Sequence, residues 1–160
     1  MTELFLIRIF GDGGSPVTQK VASILAEMDA EILDIGHSVI HNNLSLGLLV
    51  YLPEGDRSTP VKLERRLGSV AEKIIISSIK SDSYELWVQN QGAPRYVLTL
   101  LARRLKASHL SAVSDLIAGS NLKVDAIKRL SGRISRRSDV GSTKACVEFS
   151  IRGEPQRSFR

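Results

Sequence analysis

Leu6 to Leu33 and Val97 to Val124 can be laid over each other at an offset of 91 residues, a register that carries Asp34 onto Asp125. The apolar positions follow it. Phe5, Leu6, Ile7 and Ile9 fall on Tyr96, Val97, Leu98 and Leu100, while Leu25 and Ala26 fall on Leu116 and Ile117. One strand-helix-strand unit used twice predicts a tandem of small modules. The first copy continues through another strand, helix and strand before Gly92, whereas the second reaches Arg160 just after its third strand. The expectation is a second module cut short there.

Leu4 to Phe10 is almost continuously apolar, which suits a strand buried on both faces or central in a sheet. Gly11 to Ser15 then makes a glycine-rich turn, with Ser15 expected as N-cap and Pro16 as first helical residue. Val17, Val21, Ile24, Leu25 and Met28 follow at helical spacing. Glu31 to Ile40 reads as a second strand, joined through His41-Asn42-Asn43 to Ser45 to Leu52 as a hairpin. Thr59 and Pro60 repeat the cap-then-proline signal before a helix that buries Leu63, Leu67, Val70 and Ala71. Ile74 to Ile79 closes the module. Asp82 to Gln89 predicts a short trailing helix anchored by Tyr84 and Trp87, and Asn90 to Pro94 a linker. In the second copy Tyr96 to Ala102 is a strand. Ser108 is expected to cap a helix that buries Leu110, Val113, Leu116 and Ile117, and Gly119 to end it. Val124 to Leu130 and Lys144 to Ile151 form the hairpin, joined by a long basic connection, Ser131 to Thr143, that carries Arg133, Arg136 and Arg137. The order predicts an α+β chain of two ferredoxin-like βαββαβ modules, the second truncated after its third strand, with the first and third strands of each module central. The domains are 1–89 with its trailing helix, a linker over 90–94, and 95–160.

Charge is divided unevenly. Residues 1–94 carry 8 basic and 12 acidic side chains and residues 95–160 carry 14 and 5, so the halves stand at −4 and +9. The basic excess surrounds an incomplete module whose missing part is expected to carry acids, and the arginine-rich loop reads as a solvated segment or a docking surface for an acidic partner domain. Nucleic-acid binding is not expected, because the first-strand positions are aliphatic where RNA-recognition sheets need aromatic platforms. No apolar run approaches the ~20 residues needed to span a bilayer, and Met1 to Phe10 lacks the features of a secretory signal, so the expected location is the cytoplasm. Cys146, the only cysteine, lies in the apolar run Ala145 to Ile151 and is expected to be a buried, inert thiol.

Catalytic constellations are scarce. No two aspartates lie two apart, so no Asp-x-Asp pair can hold Mg²⁺ and supply a nucleophile. No serine sits on a glycine-flanked elbow. His37 and His41 stand roughly 13 Å apart on a regular strand, too far to share a metal. Neither a catalytic residue nor a metal ligand is assigned. The turn Gly11-Asp12-Gly13-Gly14-Ser15 is the best candidate site, since it brings backbone N–H groups to a helix N-terminus where small anions, carboxylates included, are attracted. Its counterpart, Ala102-Arg103-Arg104-Leu105-Lys106, has neither glycine nor acid.

An ordered series of segments carries a resemblance: Ile32 to Gly36, Val39 to His41, Leu44 to Val50, Tyr84 to Trp87 with Gln91-Gly92, Val97 to Arg103, Leu130 to Arg133, and Arg152 to Pro155. Over nearly its whole length the chain resembles tandem ACT domains, small-molecule-sensing modules of amino-acid metabolism, and among them the N-terminal region of bacterial phosphoserine phosphatases. The resemblance implies an amino-acid-binding, dimerising regulatory region with L-serine as effector. It also implies a homodimer and an intact parent with a HAD-type phosphatase domain. The Asp-x-Asp-x-Thr motif and Mg²⁺ of that domain lie outside residues 1–160, so no cofactor is expected in this chain. ACT modules bind effectors where the first loop of one module meets strands of a neighbour, which singles out Gly11, Asp12, Gly13 and Gly14 with the strand segment Asp34, Ile35, Gly36 and His37. One local departure stands out. The family's loop reads Gly-x-Asp-x-Pro-Gly, whose aspartate and proline fall on Gly13 and Ser15, so that Asp12 and Pro16 are each displaced by one. Two other readings remain: a structural dimerisation module without ligand, and a free-standing tandem-ACT regulator of a protein partner.

Overall fold

The computed structural model describes residues 3–53, 56, 58–131 and 144–155. The chain divides into two compact units, Met1–Gln89 and Asn90–Arg160.

In the first unit, β1 (Leu4–Asp12), β2 (Glu31–Ile40), β3 (Asn43–Tyr51) and β4 (Lys73–Ile79) form one antiparallel sheet in the order β2-β3-β1-β4. The first and third strands are central, as the pattern predicts. Their apolar runs are not buried on both faces alike. Phe5, Ile7, Ile9 and Gly11 alternate with more open neighbours, and Leu44, Leu46, Leu48 and Val50 do the same on β3. The register places these two sets on one face. There α1 (Val17–Glu27) contributes Val21 and Leu25, and α2 (Thr59–Leu67) contributes Leu63 and Leu67, to a single core. An exposed Glu27–Arg66 ion pair joins the two helices. Burying some thirteen apolar side chains in this layer is the main term favouring the fold, at about 1.5–3 kcal/mol for each large one.

The hairpin connection is two residues long, since Ile40 pairs with Asn43. His41 and Asn42 both adopt positive φ, 47° and 62°, the geometry whose twist matches that of the flanking strands. Helix entry differs from the sequence expectation in every case. Ser15 does not cap α1; Pro16 occupies the N-cap position and the helix starts at Val17. At α2, Thr59 is already helical and Asp56 organises the turn instead. The Asp56 Oδ1 accepts the Ser58 backbone N–H at 2.8 Å and the Ser58 hydroxyl at 2.6 Å, while the Asp56 N–H donates to Thr59 Oγ1 at 2.8 Å. Val70 and Ala71 lie beyond α2 but still pack against the core.

α3 (Ser81–Gln91) buries none of its residues fully, and its Tyr84 and Trp87 rings meet at 5.9 Å. The helix continues through Asn90 and Gln91, so only 92–94 of the expected linker lies outside regular elements.

In the second unit, β5 (Arg95–Ala102), α4 (Ala107–Gly119), β6 (Lys123–Ser131) and β7 (Ala145–Arg152) reproduce the first four elements, and the sheet order is β5-β7-β6. The basic connection over 132–143 lies outside the described residues. Ala145, Val147, Phe149 and Ile151 are buried and alternate with half-buried neighbours, so Cys146 faces the other side of the sheet and is only half-buried. Leu116, expected inside, is 57 % exposed; Ile117 fills the inward position. Ser108 is helical rather than a cap, and the N-cap is Lys106, whose backbone N–H donates to His109 Nδ1 at 3.1 Å.

These shifts share one cause. Strand positions match at an offset of 91, so that Phe5, Ile7 and Ile9 correspond to Tyr96, Leu98 and Leu100. α4, however, is two residues longer than α1, 13 against 11. Both helices end in the same left-handed closure. Asp29 (φ 52°) and Asn121 (φ 61°) take the positive-φ position, and Ala30 and Leu122 donate back to the Leu25 and Ile117 carbonyls. The offset there is 92, Leu25 matching Ile117. The strand bulges keep that value: Leu33 is the extra residue in β2 and Asp125 in β6. Asp125 is thus the counterpart of Leu33, not of Asp34.

Two outcomes test this account. Ile7→Ala removes a fully buried central side chain and should cost the first unit about 2–5 kcal/mol by denaturant titration, whereas Leu98→Ala, at the half-buried counterpart, should cost less. The hydrogen bonds from Ser58 and the charge of Lys62 lower the Asp56 carboxyl to about 2. Its folded value lies below its unfolded one, so its contribution is complete above the ordinary carboxylate range and fades as pH falls towards 2. An NMR titration should find its midpoint near that value; a midpoint at an ordinary aspartate's ~3.9 would remove Asp56 as organiser of the turn.

Candidate ligand site

The loop between β1 and α1 closes on itself. Asp12, the last residue of β1, accepts the Gly14 N–H on Oδ1 at 2.9 Å and the Ser15 hydroxyl on Oδ2 at 3.4 Å. Ser15 N–H returns to the Asp12 carbonyl at 3.2 Å, and Val17 N–H to the Ser15 carbonyl at 2.8 Å. Gly13 N–H crosses to the β2–β3 turn and donates to the Asn42 carbonyl at 2.7 Å. The N–H groups of Gly13, Gly14, Ser15 and Val17 are therefore all engaged within the chain, and Pro16 has none. The Asp12 carboxylate thus takes up the Gly14 N–H.

Glycine is required at one point of this loop. A Cβ on Gly13 would lie 2.6 Å from Val39 Cγ1 and 3.2 Å from the Asn42 carbonyl oxygen, whereas one on Gly14 would meet only the Asp12 carboxylate, at 3.4 Å. Gly11 is buried at the end of β1, with Val17 Cγ2 3.5 Å from its Cβ position. The loop thus packs directly on the hairpin turn, a contact the sequence did not announce.

The second group of candidate residues stands elsewhere on the sheet. Asp34, Ile35, Gly36 and His37 form the middle of β2, an edge strand, and all four are exposed. His37 is level with Leu46 and Ile9, three residues of strand (~10 Å) below Asp12 and two strand spacings (~10 Å) across from it. Within one unit these residues do not converge with the loop. Asp34 Oδ1 accepts the neighbouring Ile35 N–H at 2.9 Å, and a Cβ on Gly36 would meet nothing within 4 Å. In the second unit the corresponding loop presents Arg103, Arg104 and Lys106 to solvent.

A pocket of about 310 Å³ opens at the opposite end of β1, where Glu3, Glu31, Tyr51, Ser81, Tyr84 and Glu85 come together. These residues are scattered over the sequence, and no motif links them; only the ends of the first three strands and the start of α3 bring them to one place. The Tyr51 hydroxyl is bonded to the Glu3 carboxylate, which, with the charge of Glu31, raises its pKa above the ordinary tyrosine value. Three carboxylates make this pocket hospitable to cations and repel the carboxylate of a free amino acid. Among the described residues no group of three or more His, Cys, Asp or Glu side chains could hold a metal ion, and no helix is long and apolar enough to cross a membrane.

Four-stranded βαββαβ order with both helices on one face, followed by a second βαββ set with the same bulge and helix closure, defines an α+β chain of ferredoxin-like modules. Residues 3–76 match the model of the ACT domain family, and that stretch is an ACT domain. No curated protein matches the chain. Among solved structures, a protein of unknown function from Galdieria sulphuraria superposes with a TM-score of 0.66 at 14 % identity, over 94 % of this chain and 82 % of that one. A "putative glycine cleavage system transcriptional repressor" superposes with a TM-score of 0.60 at 12 % identity, over 98 % and 83 %. At these identities the likeness is one of fold.

The loop packing yields an asymmetric expectation for two adjacent glycines. Gly13→Ala should destabilise the first unit by about 1–3 kcal/mol, since the Asn42 carbonyl cannot retreat without moving the hairpin turn. Gly14→Ala should cost clearly less, and equal urea midpoints for the two variants would refute the contact.

Proposed function

We propose that this chain is the amino-acid-sensing, dimerising regulatory region of a phosphoserine phosphatase, with L-serine as effector. The observation that carries the sensing role is the ACT domain over residues 3–76; the phosphatase and serine assignments draw on the ordered sequence matches from Ile32 to Pro155. The two modules are 1–89 and 95–160, joined through 90–94, and the protein works in the cytoplasm. The chain itself performs no chemistry. Hydrolysis belongs to the HAD-type domain of the parent, which would bind Mg²⁺.

The effector site is Gly11, Asp12, Gly13 and Gly14 of one module facing the Asp34-Ile35-Gly36-His37 edge of a neighbour. Separation of the two groups within one unit is what such a shared site requires, because a loop at the end of β1 and the middle of an edge strand meet only across an interface. Binding would work by opening the Asp12 turn, so that an amino-acid carboxylate replaces the Asp12 carboxylate at the Gly14 N–H and the freed acid receives the ligand's ammonium group. Regulation then requires that L-serine bind two arrangements of the modules with different affinity.

The closed loop also favours a second reading, an assembly module whose site no longer binds. Isothermal titration calorimetry with L-serine and a panel of other amino acids separates the two. The sensing reading expects saturable heat with L-serine at or below millimolar concentration, weakened about tenfold or more by Asp12→Ala through loss of a charge-assisted contact. No heat from any amino acid would leave assembly alone. A free-standing regulator of a protein partner is the third possibility, and a reading frame running on into an Asp-x-Asp-x-Thr segment would dismiss it.

A further inference from the structure

Cross-strand register builds the pocket at the far end of β1. Tyr51 of β3 stands between Glu31 of β2 and Leu4 of β1, and Leu4 in turn pairs with Ile79, the last residue of β4. α3 begins two residues later, so its first turns bring Ser81, Tyr84 and Glu85 to the same place. Leu4 alternates with Phe5, Ile7 and Ile9 and therefore points away from α1 and α2, yet it is only 8 % exposed and gives the pocket an aliphatic floor. Leu33, the extra residue of the β2 bulge, adds an aliphatic wall. The space enclosed, about 310 Å³, lies at the lower end of the roughly 300–1,000 Å³ of small-molecule sites.

Charge in this pocket has one sign. Glu3, Glu31 and Glu85 line it without any lysine, arginine or histidine, and among the described residues no cation pairs with any of the three. The Glu3 carboxylate accepts the Tyr51 phenol, and its charge together with that of Glu31 holds the phenol proton more firmly than usual, so both acids converge on one point. Like charges gathered without a counter-ion oppose folding, and stability does not explain the arrangement. The whole chain carries +5, so a cation is drawn here by the local field and not by net charge.

We propose that this pocket binds an aliphatic polyamine, a methylene chain bearing two or more ammonium groups and no carboxylate. Each part of that description answers a feature of the walls. The three carboxylates take ammonium groups in charge-assisted hydrogen bonds. Leu4 and Leu33 cover the methylenes between them, and the rings of Tyr51 and Tyr84 attract the cation further, that of Tyr84 braced by Trp87 at 5.9 Å. A free amino acid is rejected because its own carboxylate would face Glu3, Glu31 or Glu85. A metal ion is not the occupant, since among the described residues no three acidic side chains come close enough to share one. The pocket differs from the loop site in place, charge and ligand, and its occupant does not depend on the phosphatase reading.

Isothermal titration calorimetry of the full chain with spermidine, a triamine, tests this at low salt, with 1-aminobutane, L-lysine and Mg²⁺ titrated beside it. One spermidine should bind per chain, and each of the three controls about tenfold or more weakly. Glu31→Gln with Glu85→Gln keeps the shape of two exposed side chains while removing their charge, and should weaken spermidine binding by about tenfold or more. Tyr84→Leu should weaken it by about two- to fivefold. Far-UV circular dichroism checks that each variant is folded; should the pair fail that check, Glu85→Gln alone gives the same reading with a smaller loss. Absence of saturable heat, Mg²⁺ binding as tightly as spermidine, or a spermidine affinity untouched by the paired substitution would each overturn the proposal. Glu31 and Glu85 lie outside Gly11–Gly14 and Asp34–His37, so the L-serine titration stands or falls separately.

Discussion

The structure depends on one alternation, that of the central strand pair. β1 and β3 in the first unit, and β5 and β7 in the second, send every second side chain to the same face, where the helices lie. A slip of one residue in either pairing would turn Phe5, Ile7 and Ile9 to the uncovered side and bring Arg8 beneath the helices, so register and fold are specified together. Helix placement, core composition and the identity of the edge strands follow from that constraint. Of the outer strands of the first sheet, β4 adds Ile74 and Ile76 to the core, whereas β2 leaves nearly all its side chains exposed.

Most of this was legible in the chain, because its signals are periodic. Repetition at an offset near 91 gave the two modules, and the uninterrupted apolar runs gave the central strands. The missed features are those set by single hydrogen bonds. Ser15, Thr59 and Ser108 all look like caps, yet Pro16, Ser58 and Lys106 occupy the N-cap positions. At α2 the reason is visible: the Asp56 carboxylate binds Ser58 and draws Thr59 into the helix, where its hydroxyl is still used as an acceptor. A serine or threonine before a proline cannot reveal that an aspartate two or three residues upstream will take its role. The Asp34–Asp125 match failed for a related reason. Two extra residues inside α4 displace everything beyond it by one net position, and identical residue types in the sequence hid a displacement that the bulges at Leu33 and Asp125 make plain.

The candidate site shows the same division. Glycines at 11, 13 and 14 pointed to a tight strand-to-helix turn, and the turn is there. What glycine content could not reveal is the direction of the N–H groups, since an acid within the loop competes for them on equal chemical terms with an external carboxylate. Asp12 holds Gly14 and Ser15 at short range, with no entropy of association to overcome. The acidic pocket around Tyr51 and Tyr84 left no trace in the sequence at all, because its residues meet only through strand ends and a helix on a different part of the chain.

Separation of the loop from the β2 edge has a thermodynamic consequence for any ligand that needs both. A site assembled from two protomers exists only in the assembled state, so ligand binding and association are linked, and each must strengthen the other by the same factor. Apparent affinity would then rise with protein concentration, and saturation with ligand would tighten the dimer. The closed Asp12 turn adds a further unfavourable step to binding, and such a step lowers apparent affinity by the fraction of loops that are open. A sensor built in this way responds over a high concentration range of its ligand rather than a low one.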